Sequence, residues 1–264
     1  RPLPAFAATR FTDAFRRRGP SGPRLRGEVL LWPDTFMNAF HPRIGAAAVR
    51  VLEAAGFTVR LPPRTACCGL TWISTGQLGI AKRVIKRTVR MLRDPVRRGL
   101  PVVSLEPSCT AVFRADAPEL FPHDPDVRRL CEQTVTLAEL LDQHGVDPPP
   151  LDRPVIAQQH CHQHAVIGFE AESRLLRAAG ADLRLLDAGC CGMAGDFGFT
   201  AGHYDVSMAC AEEGLLPAVR EAPEDALILA DGFSCRTQIE HARVGRRAVH
   251  LAEALDGGGR AAGG

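Results

Sequence analysis

The chain has 264 residues, 45% hydrophobic and 23% charged, with a net charge of +2; this is the profile of a globular protein long enough for two modest domains. So small a charge gives no reason to expect nucleic acid as a partner, and no apolar run reaches the roughly 18–20 residues of a membrane span. The cysteines number nine, an odd count, and Arg1-Pro2-Leu3-Pro4 opens without a secretory pattern. A reducing, cytoplasmic setting is expected, in which clustered thiols bind metal more often than they form bridges.

Residues 1–27 are rich in Arg, Pro and Gly and read as a linker or tail of an upstream segment. The missing initiator Met and the run Phe15-Arg16-Arg17-Arg18 lead to the expectation of a piece of a longer polypeptide. A first unit, 28–149, begins with a predicted strand at Val29–Trp32. Helical spacing over Ile44–Ala55 ends at Gly56, and Phe57–Leu61 reads as a short strand before Pro62-Pro63. Cys67-Cys68-Gly69 follows in a loop. Gln77–Leu92 has the pattern of an amphipathic helix with Arg and Lys on its wet face. Pro101–Leu105 is an apolar strand, and Glu106-Pro107-Ser108-Cys109 leaves its end.

A second unit, 150–256, repeats this order after the Asp147-Pro148-Pro149-Pro150 boundary. Val155–His160 is a predicted strand that leads into Cys161, Glu170–Ala179 a helix closed by Gly180, and Asp182–Leu186 a strand before Cys190-Cys191-Gly192. A helix spans Tyr204–Val219 with a break expected near Pro217. Ala226–Ala230 is a strand, and Asp231-Gly232-Phe233-Ser234-Cys235 leaves its end. Similar helices close both units, at Leu137–Leu141 and Leu251–Leu255, and a Gly/Ala-rich tail from Gly257 is expected to be disordered. Cys67 and Cys190 lie 123 residues apart, Cys109 and Cys235 126 apart. The fold class is therefore α/β: two pseudo-repeated βα units with mainly parallel strands and the cysteines at the carboxyl ends of strands, where open α/β sheets hold ligands.

Adjacent cysteines are poor disulfide partners, whereas two thiolates at one Gly-permitted turn can grip a soft metal centre. In the second unit Cys161, Cys190, Cys191 and Cys235 make a full set of four, enough for a [4Fe–4S] cluster or a tetrahedral zinc. The first unit has three, Cys67, Cys68 and Cys109; aligning the strands puts Asp34 or Thr35 where Cys161 stands, so this site is a remnant or draws on Asp34, His41 or an external ligand. Cys131 and Cys210 fall in helical stretches and read as core. His160, His162 and His164 would share one face of a strand, as ligands, proton donors or plain hydrogen-bonding groups. Glu106 and Asp231 hold matching places at two strand ends, as proton acceptors or helix caps. Gly189, Gly192 and Gly195 let backbone N–H groups point at a charged centre. His203 and Tyr204 follow that loop as candidates to line a cavity. The basic stretch from Lys82 to Arg98 reads as a solvated helix face, with a docking surface for an acidic redox partner as the alternative.

The segments Leu31-Trp32-Pro33-Asp34-Thr35-Phe36, Leu105-Glu106-Pro107-Ser108-Cys109, His160-Cys161-His162-Gln163, Gly189-Cys190-Cys191-Gly192-Met193-Ala194-Gly195 and Ala230-Asp231-Gly232-Phe233-Ser234-Cys235-Arg236 resemble the cysteine-rich CCG domain of iron–sulfur oxidoreductases. Within that group the chain is most similar to the C-terminal part of bacterial FAD-linked, iron–sulfur D-2-hydroxyacid dehydrogenases, which act on D-lactate or D-2-hydroxyglutarate. The resemblance implies an electron-transfer module of such an oxidoreductase, not fully active by itself. It implies an upstream FAD-binding dehydrogenase domain as partner, fused or separate, an electron acceptor, and a cytoplasmic place that extends to the periphery of the inner membrane face. The full CCG pattern closes with C-x-x-C; here the closing cysteine is single, Cys109 and Cys235. Two rival readings remain: a zinc-stabilised docking module without redox activity, and a thiol–disulfide reductase built on the first-unit triplet.

Overall fold

The computed structural model describes residues 1–22 and 24–258. They form two compact units, Phe6–His144 and the stretch from Gly145 onward together with Arg1–Ala5.

In the first unit, strands β1 (Glu28–Trp32), β2 (Thr58–Arg60), β3 (Val102–Ser104) and β4 (Thr134–Val135) make one sheet in the order β2-β1-β3-β4. All three pairings are parallel, with Leu30 opposite both Arg60 and Val102. Parallel neighbours need crossovers, and helices Pro42–Ala54 and Leu78–Arg97 supply them. In the second of these Ala81, Ile85, Val89, Leu92 and Val96 fall on one stripe and are buried. The stripe carries the helix past Leu92 to Arg97, with Pro95 in its last turn; burial of Val96 outweighs the one backbone bond that proline removes. The core gathers around Trp32, which meets Phe113 edge-on at 5.1 Å. Within residues 1–27, helix Phe11–Arg18 buries Phe11 and Phe15.

The second unit has β5 (Pro154–Gln158), β6 (Asp182–Leu186), β7 (Leu227–Leu229) and β8 (Ala248–Val249) in the order β6-β5-β7-β8, again all parallel. The α/β class with two repeated βα units is thus the observed one. Strands β4 and β8 escape the sequence reading because two residues are too few to display a period. The long helix predicted over Tyr204–Val219 is two helices, Tyr204–Glu212 and Leu215–Glu221. They part at Gly214, not near Pro217: a Cβ on Gly214 would lie 2.9 Å from Ala188 Cα, while Pro217 sits in a first turn, where its missing N–H costs nothing. The strand expected to run to His160 ends at Gln158, so His160, His162 and His164 do not share a strand face. The expected disordered tail lies, for residues 259–264, outside the described residues.

One charge cluster ties the first unit together. Buried Asp126 takes Arg97 Nε at 2.9 Å, Arg93 Nε at 3.1 Å and Arg129 at 3.2 Å, and the Arg97 hydrogen bond holds its carboxyl below the ordinary carboxylate range. The folded value is depressed, so this stabilisation is complete above the unfolded value of about 4 and is lost as pH falls through the folded value. Asp126→Asn is expected to lower the urea midpoint at neutral pH and to flatten its fall below pH about 4; identical pH profiles for variant and parent would contradict this.

Candidate metal centre

In each sheet the chain leaves the first strand toward one side and returns on the other. The carboxyl ends of β1 and β3, and of β5 and β7, therefore flank a crevice at the switch point. The cysteine loops open onto these ends. In the first unit Gly69 takes φ +102 at the start of helix Leu70–Ser74, a conformation cheap only for glycine, and its N–H donates to Cys67 Sγ at 3.4 Å. Thr88 Oγ1 donates to the Cys67 carbonyl at 2.9 Å and pins the loop to the long helix. Cys68 Sγ lies 3.2 Å from Cys109 Sγ, and the Cys67 thiol bonds with Cys68. The second unit repeats the pattern: Gly192 takes φ +82, its N–H donates to Cys190 Sγ at 3.3 Å, and the Cys191 thiol bonds with both Cys190 and Cys235.

Thiols packed this closely resist ionisation. The contact with Cys68, then burial, pushes Cys67 up, and the contact with Cys191, then burial, does the same to Cys190. Cys68 is driven up by its bond with Cys109. Cys191 is lowered by Cys190, but the Cys235 contact and burial outweigh that and raise it. Cys109 is likewise eased by Cys68, yet burial beside Asp34 and Glu106 leaves it raised, with the Trp32 side chain pulling the other way. A cation at either triplet would reverse the balance, since like charges at one place ionise together only when neutralised.

Cys161 begins the turn after β5 and is exposed. His160 precedes it as a cap: its Nδ1 accepts from the His162 N–H at 3.1 Å, and its own N–H donates to Gln163 Oε1 at 2.9 Å. Ligand atoms of His160, Cys161 and His162 all lie within 4.8 Å of one another, and His162 Nδ1 is buried without a hydrogen-bond partner. His164 is exposed. Gln158 Nε2 donates to the Gly189 carbonyl at 3.1 Å, and a Cβ on Gly232 would stand 2.1 Å from the His160 ring. The loops bearing Cys161, Cys190 and Cys235 are thus neighbours at one edge.

The first unit builds the same edge from different residues. Two residues separate β1 from its next helix, as two separate β5 from the turn at Cys161. Asp34 takes the capping place of His160, accepting from the Met37 N–H at 2.8 Å, so Thr35 stands where Cys161 does. Glu106 caps helix Pro107–Ala111 through Ser108, with Ser108 Oγ at 2.9 Å. Its counterpart is Gly232, the cap of helix Phe233–Ala242, and not Asp231, which the sequence reading paired with it. Asp231 instead accepts from the Leu251 N–H at 2.8 Å. A cavity of about 560 Å³ opens at this edge, lined among others by Arg10, Thr35, Asn38, Thr65 and Cys67.

Gly189 and Gly195 both adopt positive φ in the second loop, with open space where a Cβ would project. His203 caps helix Tyr204–Glu212 and stacks on Phe197 at 4.3 Å, and Tyr204 Oη meets His241 Nε2 at 3.0 Å. Cys131 and Cys210 are only half-buried, not the core residues expected. Arg1 went unnoticed in the sequence: its guanidinium donates to Ser207 Oγ at 2.9 Å and to Gln238, and lies near Cys191. No local pattern marks such a long-range contact.

The cysteine-rich CCG domain family matches residues 34–114, which hold Cys67, Cys68 and Cys109. A subunit of the anaerobic glycerol-3-phosphate dehydrogenase of Escherichia coli K12 is 29% identical over 245 residues; the match takes in 91% of this chain but 61% of that protein, so the chain spans less than two thirds of its length. Lactate utilization protein A of Geobacillus kaustophilus is 30% identical over 244 residues, with 87% of this chain and 98% of that protein covered. This chain belongs to the cysteine-rich CCG-domain family. Lactate utilization protein A of Bacillus subtilis 168 is 27% identical over 245 residues, covering 99% of that protein. The family match falls on the first unit alone, yet the second CCG loop has the same Gly-supported thiol turn, with Cys161 as a further cysteine on a neighbouring loop. Among the described residues no helix is long and apolar enough to cross a membrane.

Proposed function

We propose that the chain is the iron–sulfur-binding, electron-transfer module of a dehydrogenase, and more narrowly of an FAD-linked enzyme that oxidises a 2-hydroxyacid. The observation that carries this is the triplet of touching thiols, built twice, at the switch point of a parallel sheet. Cys161, Cys190, Cys191 and Cys235 would hold a [4Fe–4S] cluster in the second unit, and Cys67, Cys68 and Cys109 a centre in the first. The donor set is soft and suits iron–sulfur chemistry. Among the described residues the three thiols of neither triplet fall into a group within 4.8 Å.

A bound iron–sulfur cluster supplies one-electron transfer. The chain's own groups do the rest. Gly69 and Gly192 donate N–H bonds to sulfur, and such bonds tune potential. Trp32 and Met193, both buried, limit water beside the thiols. His160 and His162 would relay or hold a proton beside Cys161, and Glu106 would serve as a buried acceptor beside Cys109. Gly189 and Gly195 would keep the second loop free of side chains where it faces open space, and Gly192 lets it pack against the Ser207 backbone. An FAD-binding dehydrogenase domain and an electron acceptor are the partners this reading requires, in the cytoplasm or at the inner membrane face. The relatives' names, one from a glycerol-3-phosphate dehydrogenase and one from lactate utilization, support the oxidoreductase setting.

A second reading, zinc-stabilised docking without redox activity, is favoured by the His160-Cys161-His162 group. Metal and acid-labile sulfide analysis of anaerobically prepared full chain separates the two. Iron and sulfide in near-equal amounts, with broad absorbance near 400 nm, is the expected result; zinc without sulfide would replace the first reading by the second. Because the thiols are raised, loading is also expected to release protons and to weaken as pH falls.

A further inference from the structure

The two sheets end differently at their matching edges, β2 and β6. In the first unit Gly22 lies against β2: a Cβ on it would meet the Phe57 carbonyl oxygen at 2.5 Å, and Thr58 Oγ1 donates to the Gly22 carbonyl at 3.4 Å. Thr58 and Val59 are buried. In the second unit β6 holds the edge of the order β6-β5-β7-β8, yet Asp182, Arg184 and Leu185 are exposed there, Leu185 by 41%. The Asp182 N–H donates to the Arg153 carbonyl at 3.1 Å, so Asp182 bonds inward, toward β5. Inward and outward residues alternate along a strand, which turns the backbone groups of Leu183 and Leu185 to the open side. Such an edge is a template for a further strand.

Charged residues on an edge ordinarily keep other strands away. Here their signs select one arrangement. An antiparallel strand from a second copy, related by a twofold axis at Leu183, sets Asp182 opposite Arg184 and Arg184 opposite Asp182. Leu183 then faces itself, and Leu185 faces Ala181. An axis at Arg184 would instead set two like charges against each other, which is unfavourable. Among the described residues neither Asp182 nor Arg184 is held in an ion pair. The run Asp182-Leu183-Arg184 is thus self-complementary, as a twofold interface requires. We infer that two copies of this chain pair edge to edge through β6, joining their second-unit sheets into one. The inference is independent of what the thiol loops bind. β6 has 5 residues, so the interface is small, and the dimer is weak and concentration-dependent.

The test is sedimentation velocity of the full chain over a concentration series, anaerobically and under reductant so that no thiol bridges form. The parent is expected to pass from monomer to dimer, with a midpoint that rises with salt. Asp182→Arg opposes arginines at both symmetry-related places, and Arg184→Asp opposes aspartates; each should raise the apparent Kd about ten-fold or more. The double variant, Asp182→Arg with Arg184→Asp, should dimerise like the parent. The decisive sample mixes the two single variants in equal amounts. Every cross-copy pair is then opposite in sign, and the mixture should dimerise at concentrations where neither variant does alone. Both positions are exposed, so far-UV circular dichroism of each variant should match the parent. A parent that stays monomeric at every concentration refutes the pairing and leaves this edge to a different strand. Single variants that dimerise at the parent's Kd, or a mixture that does not dimerise, refute it equally.

Discussion

Cys191→Ala is expected to strip the second unit of its metal while the first unit keeps its own. Cys191 is the central thiol of its triplet, bonded to Cys190 on one side and Cys235 on the other. It is also buried, at 5% exposure, so no other group can swing in to replace it. Iron and sulfide per chain should fall to what the first unit alone carries, with a matching loss of absorbance near 400 nm. The fold should survive, because deleting one buried sulfur costs about 1–2 kcal/mol, and far-UV circular dichroism should be unchanged. Full retention of iron in a folded variant would remove the second unit from the metal assignment. Cys161→Ala provides the graded comparison: Cys161 is exposed, solvent can reach its place, and a partial loss is expected.

The second large effect concerns backbone rather than ligand. At Gly192 a Cβ would stand 2.0 Å from the carbonyl oxygen of Ser207, in a residue already at φ +82. The obstacle is backbone in the first turn of a helix and cannot move aside. Left-handed strain of roughly 1–2 kcal/mol adds to an overpacking cost of roughly 1–3 kcal/mol, so Gly192→Ala should lose about 3 kcal/mol. For a unit of this size that is a fall in Tm of roughly 12 °C or more. Gly69→Ala, at φ +102, would meet the Ile85 side chain at 3.2 Å, which can shift, and the Ala81 carbonyl at an ordinary 3.8 Å. Its cost should stay near the strain alone, about 1–2 kcal/mol. Thermal melts of the two metal-free variants check this ordering; equal losses would mean that the Ser207 contact does not constrain the second loop.

Much of this site is legible in the primary structure because its parts are local. A Cys-Cys-Gly triplet declares a turn with two thiols, and the glycine is needed for a positive φ. Apolar runs such as Val102–Ser104 declare buried strands, and Ala81, Ile85, Val89 and Leu92 declare the face of a helix. The recurrence of strand, helix, strand, Cys-Cys-Gly, helix, strand and cysteine declares the duplication, and from duplication follow parallel sheets with the cysteines at their carboxyl ends. Where local signals compete, reading by segment fails: Val96 carries the long helix past Leu92, where the sequence reading ended it, and Gly214 breaks one where Pro217 was suspected.

What the chain could not announce by itself is which residues share a position. Asp34 and Thr35 were equal candidates for the place of Cys161 until the strand ends and caps assigned it to Thr35; Glu106 was matched with Asp231 until the caps matched it with Gly232. Arg1 beside Cys191, and the cavity joining Thr35 to Cys67, depend on contacts between segments tens to hundreds of residues apart. Composition and periodicity report what one stretch of backbone prefers to be, and so they determined the elements, while the paired cysteines marked the thiol turns. Register between strands, and the capping of one loop above another, arise only when distant surfaces are buried together, and they alone decided which residues of the two units correspond.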